Sequence, residues 1–281
     1  MSQSPTGEAQ RLRARELLAA EYAEQRSQEW LDLRDNMITA SDVASALGEN
    51  HYESVDSFVK KKVLRTKWAG NAATAHGTLL EPLVRDLYDA RTGRKTREVG
   101  LVRHRKYSWL GASPDGITED GLLVEIKCPL TRKIEPKVPK HYLPQVQLQL
   151  EITDLEECDF VQYRPAKEEG AEPEFVVVRV QRDRAWFEKN LPLMEAAWIR
   201  ILKGRAEGLC EILSEPETPQ FKNEIVCEIV ETDADPPGVL DGGVRGAEMP
   251  AQEPVPQVPG VSGEFLCQVH PTGGSSVSHV G

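Results

Sequence analysis

Residues 110–129, LGASPDGITEDGLLVEIKCP, decide how the chain is read. The segment 121–127 is short, bounded by turn residues and rich in Val, Leu and Ile, which predicts a strand. Side chains alternate along a strand, so Glu125 and Lys127 share one face while Val124, Ile126 and Cys128 share the other. Glu119-Asp120-Gly121 supplies a hairpin tip that folds Asp115 back beside them. Two carboxylates meeting on a sheet rim form a hard oxygen site suited to Mg2+ or Mn2+. A lysine there can hold or deprotonate a water, its own pKa pushed down by the cation and by desolvation.

Outward from this stretch the pattern is helical on the N-terminal side and mixed on the other. A helix is expected over Arg11–Trp30, with Leu12, Leu17, Leu18 and Tyr22 on one face. Thr39 or Ser41 can cap a short helix running through Leu47 to its stop at Gly48, and Ser54 can cap another reaching about Leu64. His76–Thr92 has apolar residues at helical spacing and ends at Gly93. Strands are expected at 96–104, 107–112 and 121–127, then a helix over 141–153 with Pro144 in its first turn, strands at 158–164 and 174–181, and a helix over 182–203. That order predicts an α/β fold with a mixed central sheet flanked by helices and a helical N-terminal part.

A net charge of −11 argues at first against a nucleic-acid partner. All of the excess lies beyond residue 205, where thirteen acidic residues face two basic ones, Lys222 and Arg245; the first 205 residues are balanced at 32 of each sign. Residues 232–281 hold seven Pro and nine Gly with little apolar periodicity, which reads as a disordered acidic tail. The segment 221–231 can still form a strand, and 206–231 reads as a linker or peripheral segment. No run approaches the roughly 18–20 apolar residues that cross a bilayer, and the polar start has no signal-peptide core, so a soluble, intracellular protein is expected. Five cysteines at spacings of 30, 52, 17 and 40 fit neither a disulfide framework nor a metal knuckle and read as reduced thiols.

The Asp, Glu-x-Lys pattern is that of metal-dependent nucleases, which must activate a water, neutralise the scissile phosphate and stabilise the leaving oxygen. On spacing alone, Glu125 and Lys127 are more simply a solvated charge pair on an exposed strand face. Their surroundings change that reading. WLDLRDNMITASDVASALG at 30–48, HGTLLEPLVRDLY at 76–88, WLGASPDG at 109–116, LVEIKCP at 123–129 and HYLPQVQLQL at 141–150 occur in that order. Together, across roughly Trp30–Arg164, they resemble the phage lambda exonuclease family, the alkaline exonucleases also grouped as YqaJ-type viral recombinases. The resemblance implies a restriction-endonuclease-like PD-(D/E)xK domain over 30–205, with residues 1–29 as an N-terminal helix.

It also implies roles. Asp115 and Glu125 match the metal-binding carboxylates, the backbone carbonyl of Ile126 a further ligand, and Lys127 the residue that orients or activates water. Glu81 matches a carboxylate that completes the metal shell directly or through water, and Gln145 a residue reaching into the site from the following helix. Arg34, Ser41 and Ser113 match a 5′-phosphate pocket, where an Arg fork and hydroxyls near a helix start suit phosphate. Bland readings stand beside several of these: Glu81 as a solvated first-turn acid, Arg34 as a surface ion-pair residue, Ser41 as a helix cap and Ser113 as a turn former. Gln147 and Gln149 read as structural or surface groups, although Gln149 shares a face with Gln145. His76, His104 and His141 read as ordinary, with contact of His76 to metal or DNA left open. Trp109 and Tyr142 read as core or rim aromatics, Cys128 and Cys158 as packed inside. The run Lys60-Lys61-Lys62 with Arg65 and Lys67 reads as a solvated helix face that can also meet a DNA backbone.

The resemblance implies a Mg2+-dependent 5′-to-3′ exonuclease, using two ions with Mn2+ as the alternative metal, that degrades one strand of linear double-stranded DNA to mononucleotides and leaves a 3′ single-stranded tail. Its implied partners are double-stranded DNA ends and a single-strand annealing protein, and its implied assembly is a homotrimer, in the cytoplasm of a bacterial or phage-infected cell. An endonuclease or nickase on the same fold is the enzyme alternative, and a DNA-end-binding recruitment module the non-enzyme one. Joint presence of Asp115, Glu125 and Lys127 argues against the latter. The tail is open to three readings: weakening non-specific binding, docking a protein, or neither. Deleting 232–281 tests the first two, and unchanged activity and partner binding count against both.

Overall fold

The alternation read from LVEIK organises the molecule, because both faces of that strand are covered. The computed structural model describes residues 5–66, 70–166, 170 and 172–208. The expected strand at 221–231, the tail at 232–281, nearly all of the 206–231 segment and Lys67 lie outside the described residues. In chain order the elements are α1 (Pro5–Ala19), α2 (Gln28–Asp35), β1 (Ile38–Thr39), α3 (Val43–Ala46), α4 (Val55–Leu64), α5 (Ala72–Thr92), β2 (Thr96–Arg97), β3 (Val102–Arg103), β4 (Leu110–Ala112), β5 (Gly116–Thr118), β6 (Leu123–Lys127), α6 (Leu143–Thr153), β7 (Glu157–Arg164), β8 (Glu174–Gln181) and α7 (Arg184–Glu207). This is the mixed α/β class expected. Among the described residues no helix is long and apolar enough to cross a membrane.

The strands form two sheets rather than one. A five-stranded sheet has the order β2-β5-β6-β7-β8, with only β6 and β7 parallel, and a small sheet has the order β1-β4-β3. The parallel pair needs a crossover, and α6 makes it. Nine of the eleven residues of α6 are buried, so this helix is covered nearly all round. Leu123 joins the main core with Val146, Leu148 and Leu150 of α6, and Phe160 of β7. On the other face Val124, Ile126 and Cys128 pack with Val84 and Tyr88 of α5 and with Val161 and Tyr163. Cys128 and Cys158 are buried free thiols, as expected.

Several local expectations are corrected. The single helix over 11–30 is two helices, α1 and α2, the second capped by Ser27 accepting from the Trp30 N–H. The expected strand 96–104 is two short strands in different sheets. Between them the chain passes so close to Tyr22 and Ala23 that Gly100 has no room for a Cβ. The expected strand 107–112 shortens to β4, and the pairings of β1 and β5, two and three residues long, leave no periodic signal. Helix α5 begins at Ala72, where Asn71 accepts from the Thr74 N–H, and it ends at Gly93 in the left-handed region as expected. Neither Thr39 nor Ser41 caps α3; the cap position falls on Asp42, whose carboxylate turns back to accept from the Thr39 N–H and hydroxyl.

The lysine run is also not a uniform solvated face. Lys62 is buried, pairs with Asp42 at 2.8 Å and donates to the Arg34 carbonyl at 2.9 Å, while Lys61 pairs with Glu53. Burial alone would raise the Asp42 pKa, but the charges of Lys62 and Arg34, with bonds from Lys62 and Thr39, hold it well below its ordinary 3.8. Lys62→Met strands this carboxylate and is expected to cost roughly 3 kcal/mol in urea unfolding at pH 7. A depressed carboxyl pKa contributes stability above the unfolded value and loses it as the pH falls below about 4. The gap between wild type and variant should therefore narrow from pH 7 to pH 2.5, and a constant gap contradicts the pairing.

Candidate active site

Strand β6 delivers Glu125 and Lys127 toward α6, and the β5–β6 hairpin brings Asp115 alongside. Asp115 Oδ2 accepts from the Ile126 N–H at 2.7 Å, which ties the start of the hairpin to the strand that carries the second carboxylate. Glu125 is 1% exposed. A carboxylate at that depth needs donors on both oxygens. Its Oε1 accepts from Gln145 at 2.6 Å and from the Lys127 ammonium, and its Oε2 accepts from Gln149 at 2.7 Å. The expected site residues Asp115, Glu125, Lys127 and Gln145 thus form one connected group. Gln149, read from sequence as structural or surface, belongs to it as well. Its signal was the four-residue spacing from Gln145, which places both amides on one side of α6. Gln147 is structural as expected, donating to the Gln181 carbonyl and accepting from the Asp183 N–H.

Burial and the neighbouring Glu125 push the Asp115 carboxyl pKa well above its ordinary value, against the opposing pull of Lys127. Lys127 sits between opposing influences. Burial alone would lower its pKa, but Glu125 and Asp115 outweigh it and hold the ammonium above its ordinary value. In this arrangement Lys127 is a charged donor, set 5.1 Å over the Tyr142 ring. Burial and the nearby carboxylates push the Cys128 thiol up to about 12, so this cysteine stays protonated beside the site.

Asp115, Ile126, Lys127, Glu81 and Tyr142 line one open cleft of about 620 Å³, shared with the first turns of α5. Glu81 projects into it from α5, yet both its oxygens are engaged, Oε1 by Arg85 at 2.8 Å and Oε2 by Arg26 at 3.2 Å. The break between α1 and α2 is what brings Arg26 there. His76 precedes this turn with a buried, unpartnered Nε2, but it is not part of the cleft lining. Among the described residues no group of three or more His, Cys, Asp or Glu side chains closes into a metal shell. The donor set still fits a hard divalent ion: two neighbouring carboxylates, Asp115 and Glu125, with the Ile126 backbone beside them, are hard oxygen donors. Such ions keep several waters and use few protein oxygens.

Arg34, Ser41 and Ser113 form a second cluster. Arg34 lies 4.3 Å over the Trp30 ring and donates to Ser41 Oγ at 2.7 Å, while Trp30 Nε1 donates to Ser113 Oγ at 3.1 Å. Burial lowers the Arg34 pKa, opposed by Asp42 and Asp35. Ser113 stands two residues before Asp115, so one short turn links this cluster to the carboxylates. Trp109, read as a core or rim aromatic, stacks on Trp198.

Comparison with known proteins places the chain among recombination nucleases. Residues 29–156 match the model of the YqaJ-like viral recombinase domain. The chain is 32% identical over 158 residues to uncharacterized protein R354 of Acanthamoeba polyphaga mimivirus, covering 50% of this chain and 29% of that one. It is 32% identical over 162 residues to protein D345L of African swine fever virus, covering 46% of each. The chain therefore spans less than half the length of these viral relatives. Among solved structures it is similar to an alkaline exonuclease, LHK-Exo, from Laribacter hongkongensis, with TM-score 0.55 and 30% identity over 64% of this chain and 95% of that one. The same enzyme in complex with dAMP gives a TM-score of 0.53 and covers 66% of this chain. With the similarity running through nearly all of LHK-Exo and the domain match spanning the carboxylate motif, this chain belongs to the YqaJ-like viral recombinase family and has the restriction-endonuclease-like fold of the alkaline exonucleases.

Proposed function

We propose that the protein is a Mg2+-dependent exonuclease that digests one strand of linear double-stranded DNA from its 5′ end and leaves a 3′ single-stranded tail for recombination. The observation that carries this reading is the joining of the buried Glu125 to Lys127, which with Asp115 lines an open cleft, in a chain of this family. Asp115, Glu125 and the Ile126 carbonyl would hold the ion or ion pair, with Mn2+ an acceptable substitute and Glu81 acting through water because its oxygens are paired with arginines. When bound, a divalent ion supplies charge neutralisation at the phosphate and a lower pKa for the attacking water.

The chain's own groups do the rest. Lys127, bonded to Glu125 and lining the cleft, is placed to orient or activate the attacking water. Gln145 keeps the Glu125 carboxylate turned toward that water. Arg34 and the hydroxyls of Ser41 and Ser113 offer a fork and two donors to a terminal 5′-phosphate, with Trp30 fixing the plane of the guanidinium. By family resemblance the working assembly is a homotrimer around the duplex, and the tailed product calls for a single-strand annealing protein as partner.

Release of acid-soluble nucleotides tests the reading on linear duplexes with and without a 5′-phosphate, beside a closed circle, in Mg2+ or EDTA. Digestion is expected at phosphorylated linear ends only, and chelation should abolish it. Asp115→Ala should lower turnover by more than about a hundredfold, since even outer partners of metal ligands cost ten- to a hundredfold. Cutting of the circle would instead make the protein an endonuclease, and no metal-dependent release would leave a DNA-end-binding module. Arg34→Ala is expected to reduce the preference for phosphorylated ends by about tenfold or more, the scale of one charged hydrogen bond, while digestion of unphosphorylated ends changes little.

A further inference from the structure

We infer that Gln149 is a positioning residue for Glu125, locking one carboxylate oxygen from inside the fold so that the other is presented to the cleft and to a divalent ion. The inference rests on the metal-dependent reading above. Gln149 is 1% exposed and lies on α6, the helix covered nearly all round. Its Nε2 donates to Oε2 of Glu125 at 2.7 Å, while Gln145 and Lys127, both reaching the surface, share Oε1. Both oxygens are buried, but Oε2 is held from inside the fold by Gln149, whereas Oε1 is held by Lys127, which lines the cleft, and by the half-buried Gln145.

A comparison within the same helix shows that this amide is held for the carboxylate. Gln147 uses both ends of its amide, giving its N–H to the Gln181 carbonyl and receiving the Asp183 N–H. Gln149 uses one end only, and its Oε1 is buried without a partner. Turning the amide over would place two oxygens against each other, so the charge on Glu125 alone selects the orientation. The backbone below it is also fixed, since the Thr153 hydroxyl donates to the Gln149 carbonyl at 2.7 Å.

The test compares the full chain, Gln149→Met and Gln147→Met by Mn2+ titration, thermal unfolding, and kcat and KM on linear duplex. Gln149→Met keeps length and bulk but removes the donor. Its Mn2+ Kd should rise about tenfold or more, and kcat should fall with KM for DNA and Tm near wild type. Gln147→Met should lower Tm and leave the Mn2+ affinity unchanged. If Gln149→Met does not fold, Gln149→Asn, whose amide falls one methylene short of Glu125, is measured instead and should show the same loss of affinity. Wild-type Mn2+ affinity in the folded Gln149 variant overturns the inference, as does a wild type that binds no Mn2+. A wild type that binds Mn2+ but releases no nucleotides overturns the nuclease reading alone, and the titration still decides the role of Gln149.

Discussion

A carboxylate on the inward face of a central strand is the constraint around which this fold is built. Glu125 cannot be left there unpaired, since a buried charge without donors costs far more than any single packing contact gains. The donors come from two directions, Lys127 along the same strand and the two glutamines across from α6. This is why a helix enclosed on nearly every side carries glutamine where leucine would otherwise pack. The parallel pairing of β6 with β7 follows from the same need, because a helical crossover is what sets α6 over the carboxylate.

The second cluster rests on another buried pair. Lys62 neutralises Asp42, and another of its N–H groups donates to the Arg34 carbonyl, so an ion pair inside the protein fixes the backbone from which the guanidinium reaches the surface. Trp30 does the corresponding work on the side chain, lying under Arg34 and bonding Ser113 in the turn that leads to Asp115. An Arg stacked and anchored in this way has less freedom to lose when a planar anion arrives.

Much of this was legible in the chain. The period of two in LVEIK assigned both faces of β6, and the Ser-Pro-Asp-Gly turn with the Asp-Gly tip brought Asp115 to it, because these are local rules. What escaped was set by distance. Lys62 read as one of a solvated run since its partner, twenty residues earlier, meets it only in space. Gln149 read as structural or surface because an amide declares its role only through what it touches. The break between α1 and α2 and the splitting of 96–104 meet at one place, the tight passage of Gly100 against Tyr22 and Ala23, and no periodicity records such a crossing. The start of α5 was set late because Asn71 opens it among small residues that carry no apolar pattern.

Helix α1 bears on all of this from outside the motif region. Ala14 and Leu17 are part of the main core, Arg13 donates to the Thr153 carbonyl at 2.7 Å, and Gln10 accepts the Glu156 N–H at 2.9 Å. These bonds clamp the C-terminal end of α6, and Thr153 in turn holds Gln149. The first helix is thus a strut for the site, although it contributes no group to it. Engineering that treats the family motifs as the whole catalytic unit, trimming at residue 29 or grafting 30–205 onto another scaffold, would keep every motif residue and remove the brace that keeps α6 in register.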